Sequence, residues 1–225
     1  VPDASSIVLS DTGLRVIGDR AFADVVFTAT DATVMAATLD LCGLPLETVG
    51  SEAFEGFRAG AVRLCNTSQL STIGARAFAG VEVASVVDLG WSGINSDTGL
   101  DIAALAFQGA MVGELVLRGS GVRVLGTDAF NGVSVSGDLD LSDCASLVEI
   151  QARAFSGSEV LGSVRLSNCG SLTSIGPFAF MDISVGGVVD LSGNAVLHVL
   201  QPHAFSGLAI QDIAALILGA TPLRV

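Results

Sequence analysis

An Ala-Phe pair recurs eight times along the 225 residues, and its last four copies are each separated by 25 residues. The phenylalanines of these pairs are Phe22, Phe54, Phe78, Phe107, Phe130, Phe155, Phe180 and Phe205. An apolar-x-apolar mark, such as Val164-Arg165-Leu166, occurs nine times with the same period. A fixed period of this length is typical of a solenoid, in which each repeat buries its apolar side against the next one.

One complete repeat is VRLSNCGSLTSIGPFAF, at residues 164–180. The alternation of apolar and polar residues at 163–167 predicts a short strand with one buried face, and successive copies would stack in parallel about 4.8 Å apart. Nine copies predict one parallel sheet about 40 Å long. We expect Leu172 and Ile175 to point into the core, and the phenylalanines to form a buried stack opposite the sheet.

The pattern Leu-x-Leu-x-x-(Asn/Cys), followed by Ile-Gly-x-x-Ala-Phe as in SIGPFAF, TIGARAFAG and VIGDRAF, resembles the leucine-rich repeat family, and most of all its BspA-type branch. The resemblance implies a curved right-handed solenoid, with a concave parallel β-sheet of about nine short strands and a convex side of turns and short 3-10 or helical segments. It also implies recognition or adhesion at a cell surface or after secretion. Residues 1–225 would form a single domain of eight to nine coils. The cysteine-rich caps of many extracellular relatives are missing, so we expect more chain beyond both ends, or partners packed there.

Composition excludes several classes of function. The chain has a net charge of −13, only 15% charged residues and no lysine, which disfavours nucleic acids and anionic membrane surfaces as partners. No apolar run is long enough for a transmembrane helix. The two histidines, His198 and His203, belong to no catalytic or zinc motif, and no phosphate-binding glycine signature occurs. We therefore predict a protein that is not an enzyme and needs no metal or cofactor.

The concave face is the surface on which a solenoid of this kind would bind a ligand. Its predicted central column is Val8, Asp40, Arg63, Asp88, Val116, Asp140, Arg165, Asp190 and Ile217, with Glu114, Arg118 and Asp138 in the flanking columns. Six acidic and three basic residues give this face a net charge of −3. Because the arginines stand between aspartates, the column is either a self-neutralising ladder across neighbouring strands or a binding surface.

Trp91 is the only tryptophan, and it lies in an insertion at residues 90–101 beside the predicted sheet. It is either an exposed anchor for a ligand or a side chain that packs across the insertion. A second insertion, apolar and β-branched, spans residues 25–37 and would cover a flank of the coil or meet a partner.

The four cysteines fall into two groups. Cys144 and Cys169 occupy the turn position that holds asparagine, serine or threonine in other coils, so we expect buried thiols there. Cys42 and Cys65 follow adjacent strands, within reach of a disulfide that would require an oxidising compartment. A sequon for N-glycosylation begins at Asn66.

Two functional hypotheses follow from the sequence. The first is a non-catalytic extracellular or cell-surface module for recognition or adhesion, which binds a protein or a glycan on its concave face near Trp91. The second is a structural element that packs against neighbouring subunits, through its uncapped ends, in a larger complex or filament.

Overall fold

The computed structural model describes residues 7–9, 12–27, 37–95, 99–210 and 216–218. These residues contain 22 short β-strands, and each strand pair among them is parallel. The predicted repeat solenoid is therefore confirmed. The described residues contain no helix, so the return path of each coil consists of strands and turns instead of the short helical segments expected.

The strands form three ladders, which follow one another within each coil. The front ladder contains β1 (Ile7–Val8), β3 (Thr38–Asp40), β6 (Ala61–Arg63), the ends of β8 (Glu82–Asp88) and β10 (Met111–Val116), β13 (Leu139–Asp140), β16 (Val164–Arg165), β19 (Val189–Asp190) and β22 (Leu216–Ile217). The second ladder contains β2 (Val16–Ile17), β4 (Thr48–Val49), β7 (Thr72–Ile73), β9 (Leu100–Ile102), β11 (Val122–Leu125), β14 (Glu149–Ile150), β17 (Ser174–Ile175) and β20 (Val199–Leu200). The third ladder contains β5 (Arg58–Ala59), the beginnings of β8 and β10, β12 (Ser134–Val135), β15 (Glu159–Val160), β18 (Ser184–Val185) and β21 (Ala209–Ile210).

The 25-residue period of the sequence sets the register of the ladders, since residues 25 positions apart pair in neighbouring strands. Asp140 pairs with Arg165 in the front ladder, and Ile150 pairs with Ile175 in the second ladder. The front and third ladders join into one 14-stranded sheet because β8 and β10 are long enough to belong to both. The second ladder is a separate sheet of eight strands.

The eight repeated phenylalanines stack ring on ring through the core. Ring centroids in this stack are 4.8–5.1 Å apart, and neighbouring rings are within 13° of parallel. The six inner rings, from Phe54 to Phe180, are fully buried. The predicted stack is therefore present, and it continues through the coils on both sides of the 90–101 insertion.

Left-handed backbone conformations recur at the turns. The repeat at residues 164–180 has one at Asn168, with φ of 60°, and another at Phe178, with φ of 57°. The position two residues after each stacked phenylalanine has a positive φ as well, and glycine occupies it in six coils, for example Gly132 with φ of 65°. Because glycine adopts this conformation without a steric penalty, the recurrent Phe-x-Gly of the sequence marks a turn rather than a ligand site.

A buried row of polar side chains runs behind the front ladder. Cys144 donates through its thiol to the carbonyl of Leu117 (3.2 Å), and Cys169 donates to the carbonyl of Leu141 (3.3 Å). Asn194 continues the row by accepting from the backbone N–H of Cys169 (2.8 Å). The hydrogen bond with Cys144, together with burial, raises the pKa of the Cys169 thiol. These cysteines are buried hydrogen-bonding groups, as their place in the repeat predicted.

Candidate binding face

The predicted central column exists as one row of register neighbours. Each of its nine positions pairs with the next along the front ladder, from Val8 to Ile217. We call the outward side of this ladder, together with the turn that follows each strand, the front face. The described side chains of the column are half-buried or exposed, so they line a continuous surface about 40 Å long at the usual strand spacing.

The aspartates of the column are bound to the backbone of the turns. Asp88 Oδ1 accepts from the N–H of Gly90 (2.9 Å), and Asp140 Oδ1 accepts from the N–H of Ser142 (2.9 Å). Asp40 and Asp190 make the same contact with the residue two positions later, at 3.0 and 2.9 Å. This side-chain-to-backbone turn holds each carboxylate in the same orientation from coil to coil.

The arginines of the face do not form the self-neutralising column considered from the sequence. Arg165 pairs with Asp138, in the flanking column, and not with Asp140 or Asp190. Burial by itself would raise the pKa of Asp138, but hydrogen bonds from Ser163 N–H and from Arg165 hold it below its usual range. Asp138 is therefore ionised, and its carboxylate is paired with Arg165.

The other two arginines of the face differ from each other. Arg118 pairs with Asp143 of the next coil, with the nitrogen and oxygen 2.9 Å apart. Arg63 is exposed, and among the described arginines it is the one without an ion pair. Glu114 lies in the flanking column on the side opposite to Arg118, and its side chain is exposed. The arginines thus neutralise the edges of the face rather than its centre.

Trp91 is both packed and exposed. It lies in the turn after β8, and its ring covers the backbone of Gly119 in the next coil, where an added Cβ would come within 2.7 Å of the indole. The tryptophan still exposes 52% of its surface, and Ile94 in the same turn exposes 50%. One face of the indole is therefore supported by the protein while the rest is open to solvent. Residues 96–98 of the insertion lie outside the described residues.

Cys42 and Cys65 form a disulfide between the first turns after β3 and β6, with their Cα atoms 4.6 Å apart. Asn66 comes directly after this bridge, and its side chain is exposed in a turn with φ of 57°. The bridge, Asn66 and Trp91 thus border the same part of the front face, in three successive coils. Most of the second insertion, residues 28–36, lies outside the described residues.

Two residues of the face were not recognised from the sequence. Asp143 neutralises Arg118, and Gly119 supports Trp91. Gly119 occupies the same place in its repeat as Trp91 does, so an alignment of the repeats contained a signal for this contact. In the aligned repeats, Asp143 falls one position after that of Arg118, so this ion pair is harder to detect from the sequence.

A metal-binding cluster and a membrane-spanning helix are both absent from the described part of the chain. It holds no group of three or more histidine, cysteine or acidic residues arranged to bind a metal ion. His203 stacks on Phe178, with ring centroids 5.2 Å apart, and His198 directly precedes β20. Within the same residues, no helix has the length and apolarity needed to cross a membrane.

Residues 101–216 match the BspA type leucine rich repeat region, in six copies. The chain belongs to the BspA-type leucine-rich repeat family. Repeat solenoids of this family are generally binding scaffolds without catalytic activity, and many are associated with cell surfaces. No curated protein and no solved structure matches this BspA-type chain.

Proposed function

We propose that this protein is a non-catalytic recognition or adhesion module, which binds a protein or glycan ligand on its front face. The observation that carries the proposal is Trp91, a half-exposed indole supported from below by Gly119 at the edge of a continuous row of outward side chains. A large aromatic side chain that is already held in place loses little conformational freedom on binding, so it is well suited to anchor a ligand.

The central column supports the same proposal. Its aspartates are oriented by backbone hydrogen bonds, and Arg63 is left without an ion pair. Charged groups that are fixed in place but not neutralised can form specific contacts with a ligand. The proposed binding residues without an ion pair are Asp40, Arg63, Asp88, Trp91, Glu114, Asp140 and Asp190, and the ion-paired Arg118, Asp138 and Arg165 complete the set of the sequence hypothesis.

We further propose an extracellular or cell-surface location. The family is often associated with cell surfaces, and the bridge between Cys42 and Cys65 is of a kind that persists in oxidising compartments. Asn66 is proposed as an N-glycosylation site, since its side chain is exposed next to the bridge. Treatment of the secreted protein with a peptide-N-glycosidase would then reduce its mass, and an Asn66→Gln variant would show no change.

A count of free thiols tests the bridge. In denaturant and without reductant, we expect two free thiols, from Cys144 and Cys169, and four after reduction. Because the bridge restricts the unfolded chain, reduction should also lower the free energy of unfolding by about 2 to 4 kcal/mol. Four free thiols in denaturant without reductant would exclude the bridge.

The binding proposal is tested with arrays of immobilised glycans and of extracellular-matrix proteins. A front variant, Arg63→Ser with Trp91→Ala, should lose at least tenfold in affinity for any ligand found, while its unfolding curve stays close to that of the parent. The matched control is Arg123→Ser with Phe178→Ala, which removes an arginine and an exposed aromatic ring away from the front face. Equal loss in the two variants would contradict a binding site on the front face.

A further inference from the structure

The turn after β8 is an apolar part of the front face. Trp91 and Ile94 are both about half exposed there, and the supporting contact with Gly119 covers only one side of the indole. An exposed indole ring attracts a cation placed over its face, because the ring carries negative potential there. The turn therefore favours a ligand that presents a positively charged side chain with an apolar stem.

The charges around this turn favour the same ligand. Asp138 and Asp143 neutralise two of the three arginines of the face. Five carboxylates of the face then remain without an ion pair, against a single unpaired arginine, Arg63. The five are Asp40, Asp88, Glu114, Asp140 and Asp190. Among its described residues the face thus has an uncompensated charge of −4, more acidic than the −3 counted from the sequence, which left out Asp143.

A second copy of this chain does not fit the face. The chain has no lysine, and eight of its nine described arginines already form ion pairs. An anionic ligand would be repelled by the surplus of carboxylates, and a neutral sugar would donate hydrogen bonds to them but leave their charge uncompensated. The length of the face, about 40 Å by strand spacing, matches a ligand of many residues.

Building on the proposed function, we propose that the ligand is a basic segment of another protein, with a lysine or arginine side chain over Trp91 and further cations against the aspartates of the central column. The aspartates keep the same orientation from coil to coil because Oδ1 of each accepts a hydrogen bond from the backbone of the turn. Apolar contact with Trp91 and Ile94 and charge attraction along the column then act on the same ligand.

The probe is a lysine octapeptide, and the readout is the fluorescence of Trp91. The chain has one tryptophan and no tyrosine, so its intrinsic emission reports on this residue alone. We expect the peptide to shift or quench this emission with saturation, and its affinity to fall as sodium chloride is raised from about 50 to about 300 mM. A glutamate octapeptide and a neutral oligosaccharide should leave the emission unchanged.

Two triple variants distinguish the effect of charges on the front face from the effect of the total net charge. The front triple, Asp88→Asn, Asp140→Asn and Asp190→Asn, removes three charges but keeps an oxygen that can accept from each turn N–H. The control triple, Glu149→Gln, Glu159→Gln and Asp182→Asn, removes three charges from the second and third ladders and the turn between them, where no ion pair is lost. We expect the front triple to weaken the peptide at least tenfold, and the control triple by less than about threefold.

The outcomes distinguish this proposal from the proposed function. Equal weakening by both triples, or no change in Trp91 emission, overturns the basic ligand. If the lysine peptide fails but an array ligand is lost in the Arg63→Ser, Trp91→Ala variant, the front face still recognises a ligand of another kind. If no array ligand depends on the front face either, both proposals fail. Urea unfolding of each variant checks that the loss of binding is not a loss of fold.

Discussion

At the scale of single residues, the aspartates of the central column have a structural contact that their sequence pattern does not reveal. Each accepts a hydrogen bond from the backbone two residues later, at the point where the chain leaves the front ladder. Asp140 makes the most contacts of this kind, since the hydroxyl of Ser142 also donates to it (2.6 Å). A carboxylate of this column can therefore support both the turn and a ligand.

Substitution of Asp140 separates these two roles. Asp140→Ala leaves the N–H of Ser142 without its acceptor, and we expect a cost of about 1 to 2 kcal/mol in the free energy of unfolding. Asp140→Asn keeps an acceptor and should cost less than about 0.5 kcal/mol. Urea denaturation measures both values, and equal costs for alanine and asparagine would show that the hydrogen bond does not stabilise the turn.

Gly119 tests the support of Trp91. A Cβ at this position would overlap the indole, and the residue also has φ of 65°, so Gly119→Ala should displace the ring and cost about 1 to 2 kcal/mol. Because Trp91 is the only tryptophan, the emission should move toward that of a fully hydrated indole. Gly170→Ala is the control, since an added Cβ there meets no atom within 4 Å. Unchanged emission in Gly119→Ala would contradict the contact.

At the scale of elements, none of the described strands is long enough to be stable alone. The strands are two to seven residues long, so each depends on its neighbours in the ladder and on the phenylalanine stack beneath. Stacking on both sides of each inner ring links adjacent coils through the core. Damage to one ring should therefore affect the whole series of coils rather than one turn.

Phe130 is the central test of this linkage. Its ring is fully buried between Phe107 and Phe155, so Phe130→Ala should cost about 3 to 5 kcal/mol. Phe178→Ala, at an exposed ring outside the stack, should cost less than about 1 kcal/mol. Denaturant unfolding of the two variants measures the difference, and a Phe130→Ala variant as stable as the parent would rule out a stabilising stack.

At the scale of the whole molecule, net charge opposes self-association. The chain carries −13 with eight of its nine described arginines already in ion pairs, so two copies repel each other and offer few free cations to each other's carboxylates. The sequence hypothesis of assembly through the ends of the coil predicts the opposite behaviour.

Light scattering distinguishes a monomer from a protein that assembles through the ends of its coil. We expect a stable monomer of 22.7 kDa across a wide range of concentrations at physiological salt. Growth in mass with concentration, and its continuation at high salt, would favour assembly and would count against a module that acts as a single copy.

The sequence alone determined the solenoid, the register of the front ladder and the phenylalanine stack. These features depend on a repeated pattern of burial, and a repeated pattern is visible wherever the same residue types return after 25 positions. Leu172, Ile175 and Phe180 are fully buried for this reason. The buried thiols of Cys144 and Cys169 followed from the same alignment.

Only the tertiary structure decided the rest. The second and third ladders were not predicted as strands from the sequence, and they exist because stacked coils bring their backbones together. The partners of charged side chains also depend on positions in space: Arg165 reaches Asp138, and Asp140 turns to the backbone of Ser142. Repetition in the sequence therefore determines the coil, whereas the contacts of each surface side chain are set by which donor or acceptor lies nearest once the coils are stacked.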